Sequence, residues 1–344
     1  MSNRFSNHPL VQLTLLRFRE FIREPEAVFW ALIFPIILAT GLGIAFRGET
    51  ATPVRVAVTG DDLAQSLRED PALDVVTMTP AEAADALRAG RILIVIEPDG
   101  NEVTYRYDDT NPQARAARAA ANQALQVAAG RTDPVAVADV ITREAGSRYI
   151  DFLIPGLVGM GIMGNAIWGL GFSIVDARRR KLMKRIVATP MPKHLFLGSF
   201  LAWRMMLLPV EVGVPVVFGN LAFGVPVRGG IIDLALVAIV GSMAFSAIGL
   251  LIASRARTIE AVSGLMNFVM MPMWILSGVF FSADRFPDSV QPIIQALPLS
   301  ALVDALRASM LQGASLVVLW PQLLVLCLWL VVAFTVAMRL FRWR

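Results

Sequence analysis

Six stretches of this chain stay apolar over about 20 residues, the length a helix needs to cross the hydrocarbon core of a bilayer, and no other feature limits its fold so strongly. They are predicted at 27–46, 152–175, 195–218, 231–253, 261–281 and 316–338. Hydrophobic residues make up 56% of the 344, above the roughly 45–50% of soluble chains, so a polytopic α-helical membrane protein is the expected class. Pro35 lies inside the first stretch and Asn267 and Pro272 inside the fifth, interruptions that neighbouring helices can satisfy. The second stretch carries Gly156, Gly159, Gly161, Gly164, Gly169 and Gly171, which predicts close helix packing.

What lies between the spans differs in kind. Residues 9–24 read as an interfacial helix, with Val11, Leu15, Phe18 and Phe21/Ile22 on one face and Arg19, Glu20, Arg23 and Glu24 mostly opposite. No short apolar core with a small-residue cleavage site precedes it, so no removable leader is expected. Residues 47–148 hold sixteen acids and eleven bases and read as a folded α/β domain. Strands are predicted at 55–58, 74–78, 91–97 and 102–107. Thr79-Pro80-Ala81-Glu82 forms a capping box that opens a helix over 80–89, and Asn111-Pro112 and Asp133-Pro134 open two more. Residues 282–315 contain two amphipathic pieces, 288–296 and 300–311, each too short to cross a bilayer.

Charge gives the orientation. Asp176 to Phe200 reads DARRRKLMKRIVATPMPKHLFLGSF, seven bases against one acid between two apolar runs. Arg179 to Val187 can form a short helix with Leu182, Met183, Ile186 and Val187 on one face, and Thr189, Pro190 and Pro192 end it. Short segments on this side of the membrane hold sixteen Lys/Arg and those on the other side three, namely Arg228, Arg285 and Arg307. The positive-inside rule puts both termini and the basic loop in the cytoplasm and 47–148 outside.

The run KLMKRIVATPMPKHLFLGSF resembles the intracellular loop of ABC transporter type-2 permeases: a basic helix, aliphatic residues, then a Thr-Pro stop. A second resemblance to that family lies in 271–313, with its LSGVFF core, its LPL turn and a DALR helix ending at glycine. The resemblance implies a transmembrane subunit of a bacterial ABC exporter in the cytoplasmic (inner) membrane. It implies a partner ATP-binding subunit that carries the ATP and magnesium, and a second permease copy or paralogue. It divides the chain into a cytoplasmic N-terminus (1–26), a first span (27–46), an extracytoplasmic α/β domain (47–148) and a five-helix remainder (149–344). That remainder contains a coupling loop over 176–193 and a re-entrant region over 282–315. Arg180, Lys181, Leu182, Met183, Lys184, Arg185, Ile186, Thr189 and Pro190 would form the ATPase-docking element. Pro287, Pro298, Asp304 and Arg307 would shape paired half-helices on the external side.

Other function classes fit less well. There is no G-x-x-x-x-G-K-[ST] phosphate loop in the chain, so ATP hydrolysis belongs to another subunit. The two histidines, His8 and His194, and the single cysteine, Cys327, do not assemble a catalytic or metal-binding set. The bases cluster beside apolar spans, so nucleic acid is not the expected partner. A membrane receptor with 47–148 as its ligand-binding domain is the alternative. Arg204 and Glu211, with Asn165 and Asn267, are the candidate conduit residues, because polar groups within a span face a bundle interior or a water-filled path. Arg204 and Glu211 lie seven residues and about 10 Å apart along the helix. Because side chains lean toward the helix N-terminus, Arg204 is expected to point to the inner headgroups and Glu211 to meet backbone groups freed by Pro209 and Pro215, without a direct pair.

Overall fold

The computed structural model describes residues 8–46, 53–100, 102–131, 148–181, 193–256 and 258–340. They divide into a helical unit, 1–45 with 143–344, and a smaller unit, 46–142.

The helical unit begins with α1 (Pro9–Arg23). Six helices long and apolar enough to cross a membrane follow: α2 (Pro25–Ala45), α6 (Tyr149–Arg179), α7 (Lys193–Phe223), α8 (Ile231–Arg255), α9 (Ile259–Leu276) and α12 (Trp320–Leu340). All six expected spans are present. Pro35 is accommodated by a wide π turn over Phe29–Ile33, since a proline removes one amide donor and crowds the preceding turn. The fifth helix stops at Leu276, five residues short of expectation, because Gly278 turns left-handed at φ 70° and reverses the chain.

α6 is the centre of the bundle and packs against α2, α7, α8, α9 and the shorter α11 (Pro298–Gln312). Two glycines set how closely it does so. A Cβ on Gly156 would come within 2.5 Å of the Val279 carbonyl oxygen, and one on Gly171 within 3.2 Å of the Gly249 carbonyl oxygen. Gly161 and Gly169 face open space, so close packing accounts for only part of the glycine run. The first, fifth and sixth spans expose large apolar side chains such as Ile37, Phe268 and Leu324, as a hydrocarbon solvent favours.

Between α9 and α12 the chain makes a 3-10 turn (Ala283–Arg285), then α10 (Gln291–Ala296) and α11. The first of the two expected pieces is shorter than predicted, because Pro287 accepts from the Val290 amide at 2.9 Å and holds 287–290 as a turn. Pro298 occupies the first turn of α11, where its missing N–H is harmless. At 15 residues, α11 rises about 22 Å, less than one bilayer core.

The smaller unit is an α/β fold with helices α3 (Asp61–Leu67), α4 (Pro80–Arg88) and α5 (Pro112–Ala128). Its strands β1 (Val54–Val58), β2 (Leu73–Thr77), β3 (Ile94–Asp99) and β4 (Glu102–Tyr107) form a sheet in the order β2-β1-β3-β4. Helical crossovers make β1 parallel to β2 and β3, and the tight connection after Pro98 makes β3–β4 antiparallel. Alternation divides the core: Val56, Val58, Ile94 and Ile96 pack under α3 and α5, while Ala57 and Val95 pack under α4. Alanines 114, 117, 121 and 124 line the buried side of α5, so this helix lies close to the sheet. The Thr79–Glu82 capping box is present, and hydrogen bonds from Thr79 hold the Glu82 carboxyl below the usual range. The helix expected from Asp133-Pro134 lies outside the described residues.

Candidate transport site and its supports

The third span, α7, carries two charges into the bundle interior. Arg204 and Glu211 are 5% and 4% exposed, and they pair directly, Arg204 Nη1 donating to Glu211 Oε1. This corrects the expectation that the two would find separate partners. The guanidinium spreads as a fork: Nε donates to Ser242 Oγ of α8 at 3.0 Å, and Nη2 to the Ile162 carbonyl of α6 at 3.3 Å. Reaching against the usual lean of helical side chains is a small rotamer penalty beside the several kcal/mol of leaving either charge buried and unpaired. One side chain thereby ties three helices.

Asn165 of α6 is the third member. It lies beside the carboxylate, close enough to act on it, yet its Nδ2 and Glu211 Oε2 are both buried without a hydrogen bond among the described residues. Asn267 is not part of this cluster, since it sits on the exposed face of α9 next to Phe268. The structure therefore joins three of the four candidate conduit residues and separates the fourth.

A second set of contacts gathers at the start of α6. Arg307 of α11 lies over the Phe152 ring, 3.8 Å from its centroid, and its Nη2 donates to the carbonyls of Gly278 (2.9 Å) and Phe152 (3.3 Å). Asp304, one turn back, is 3.5 Å from Arg307 Nη1. Tyr149 Oη donates to the Phe280 carbonyl at 3.0 Å. Arg148 makes a two-pronged pair with the fully buried Asp151 and donates to the Gly224 carbonyl at 3.2 Å. The Arg228 amide donates to the Met310 carbonyl at 2.8 Å.

The basic loop meets the bundle at the other end of α6. The helix runs on to Arg179, past the point where the loop was expected to begin, and Lys181 takes a left-handed conformation at φ 57° that ends it. Arg180 pairs with Asp176 on the surface at 2.8 Å. Leu182, Met183, Lys184, Arg185, Ile186, Thr189 and Pro190 lie outside the described residues. Arg178 Nη1 donates to the carbonyls of Ala253 (3.1 Å) and Ala256 (2.7 Å) at the C-terminal end of α8.

Past the loop, Arg17 of α1 donates from Nε to Ser199 Oγ at 3.2 Å, with its Cζ 3.2 Å from the Phe200 ring centroid. Burial lowers its pKa to about 10, with Glu20 opposing. Trp203 packs against both Phe18 and Phe21. Leu15 and Ile22, expected on the same face as those phenylalanines, are exposed. The helix is rotated so that Arg17 joins the packed side, because a flat guanidinium can lie on an aromatic ring.

Arg17, Arg148 and Arg178 were legible only as charges. Arg148 and Asp151 have a spacing that suggests a local pair, but the more distant partners, side chains of α7 for Arg17 and carbonyls at or just past helix ends for Arg148 and Arg178, are ones that no local pattern names.

A model of the family described as ABC-2 family transporter protein matches residues 26–339. The chain is 27% identical over 163 residues to a protein named inner membrane transport permease YadH from Escherichia coli K12, covering 47% of this chain and 63% of that one. It is 25% identical over 210 residues to inner membrane transport permease YhhJ of the same organism, covering 59% and 56% respectively. Nodulation protein J of Rhizobium leguminosarum bv. viciae is 33% identical over 207 residues, 60% of this chain and 79% of that protein. The matches thus span less than two thirds of the length of the two Escherichia coli permeases.

Proposed function

Since this chain belongs to the ABC-2 family of transporter proteins, we propose that it is the transmembrane permease subunit of an ATP-driven exporter in a bacterial inner membrane. The observation that carries this reading is a family match running through all six apolar helices. The subunit pairs with a second permease, a copy or a paralogue, and with two ATP-binding subunits that hold ATP and magnesium. It moves a drug, antibiotic, lipid or similar amphipathic molecule outward. Both termini and the 176–193 loop lie in the cytoplasm, α1 lies along the inner interface, and residues 47–148 lie outside; the charge count supports this orientation. Pro287, Pro298, Asp304 and Arg307 belong to a re-entrant region in the outer leaflet.

Within this reading Arg204, Glu211 and Asn165 hold α6, α7 and α8 in register. Asn267 faces the transport path or the second permease, because an amide on the lipid face of a span would lack a partner. The loop helix docks on the ATPase through Leu182, Met183 and Ile186. Changing Leu182 and Ile186 to Asp puts charge into that apolar contact, and is expected to abolish copurification of the ATP-binding subunit while membrane insertion survives. Undiminished copurification of that subunit with the double variant would remove the loop from the coupling role.

A further inference from the structure

We infer that Arg178 is a positioning residue for transport, carrying displacement of the loop that follows it into the joint between α8 and α9. The inference rests on the reading of that loop as the ATPase-coupling element.

The last carbonyls of a helix have no partners within it. At the end of α8, Arg178 supplies two of them from another helix: Nη1 reaches the Ala253 and Ala256 oxygens, and Nη2 stands 3.5 Å from that of Ser254. A planar fork suits several carbonyls at once, and a cation is favoured at a helix C-terminus. Ala256 is the first residue past α8, so the fork reaches from the helix end into the connection that leads to α9. Three residues after Arg178, Lys181 ends the helix, so the clamp sits where the loop departs.

Close backbone packing reinforces this arrangement. Gly171 and Gly249 let α6 and α8 approach two turns before the clamp, so the last turns of both helices are joined as one piece. The far stem of the loop is held by a different part of the molecule, with Ser199 and Phe200 under Arg17 of α1. A loop whose two stems are tied to different helices delivers its movement to each of them. On the near side Arg178 bridges α6 to the α8 terminus.

The test uses the full chain copurified with its ATP-binding subunit in lipid nanodiscs, with Ala261→Cys as reporter in a Cys327→Ala background. Ala261 is exposed in the first turn of α9. The rate of maleimide labelling is measured with and without ATP and magnesium. Nucleotide is expected to change the rate in the parent, to leave it unchanged in Arg178→Gln, and to change it less in Arg178→Lys, which keeps the charge but not the fork. The ATP-binding subunit should copurify with all three. A full nucleotide response in Arg178→Gln overturns the inference, as does a parental response in Arg178→Lys should the Gln variant not be recovered folded. A residue that only stabilised the fold would lower recovery and leave the nucleotide response intact. Failure of the coupling reading itself shows separately, as a parent from which no ATP-binding subunit copurifies.

Discussion

At the start of α6, Arg148, Tyr149 and Arg307 gather the carbonyls of Gly224, Phe280, Gly278 and Phe152, while at its end, about 45 Å away by helix rise, Arg178 reaches the terminus of a single helix. The first set of contacts crosses between α6, α11 and the segments after α7 and α9, so any element that shifts must break bonds to several others. The second joins two helices through one side chain. The same residue type thus makes a plate at one end and a link at the other. In the proposed orientation the plate is external and the link is cytoplasmic, where nucleotide-driven movement arrives.

The interior ion pair gives the largest expected effect and sets the scale for both ends. Glu211→Leu leaves the Arg204 charge buried without its partner and should destabilise the protein by about 3–5 kcal/mol, read as a lower midpoint of thermal unfolding in detergent. The double change Arg204→Met with Glu211→Leu removes both charges and should recover most of that loss. If the double variant is as unstable as the single one, the pair does not act as a unit.

Next in size comes the direct contrast between the ends. Arg307→Gln and Arg178→Gln each withdraw charged hydrogen bonds from two carbonyls, a loss of about 1.5–3 kcal/mol apiece, and Arg307→Gln also gives up the contact with the Phe152 ring, about 0.5–2 kcal/mol more. Equal losses in thermal unfolding would erase the distinction between plate and link. The packing near Arg307 can be probed without touching charge. Gly156→Ala drives a methyl toward the Val279 carbonyl and should cost about 1–3 kcal/mol, while Gly161→Ala, facing open space, should be close to neutral. Comparable losses from both would mean that the α6 start is not tightly fitted.

The smallest effect lies in the α/β unit. Thr79→Ala removes the cap of α4 and should lower the stability of that unit by about 1 kcal/mol, with both bundle ends unaffected; hydrogen exchange of the α4 amides reads it locally. Because Glu82 has a lowered pKa in the folded state, its contribution is present above the ordinary carboxylate range and disappears as pH falls through the lowered value. A cap signal unchanged by acid would separate Glu82 from the box.

Much of this was legible in sequence because it is local. The six spans follow from runs of apolar residues, and the succession of strands and helices in the α/β unit follows from β-branched runs separated by helix-length or turn-length connections, although the order of the strands in the sheet does not. The capping box at Thr79 could be read from four residues. Arg204 and Glu211 were legible as candidates, but their pairing was not, since the preference of each side chain was outweighed by the solvation cost the two share. Arg178 and Arg307 are further cases, because their acceptors are main-chain oxygens that any sequence supplies. Burial and tertiary proximity select which carbonyls they meet, and neither leaves a mark at the arginine itself.

The wide turn at Phe29–Ile33 has a geometric consequence for α2. Its buried small residues, Ala31, Pro35, Ala39 and Gly43, are spaced by fours. In an uninterrupted α-helix each such step drifts about 40° around the axis, so three steps would carry Ala31 about 120° away from Gly43. A turn that holds an extra residue winds more slowly and takes back part of that drift, drawing Ala31 toward the line of the other three. The helix can then present a narrow ladder of small side chains to its neighbours, where Gly43 meets Phe223 and Ile150. Pro35 therefore sets the phase of the whole helix, and removing one residue from 29–33 would turn the aromatic collar of Phe29 and Trp30 out of step with the ladder below it.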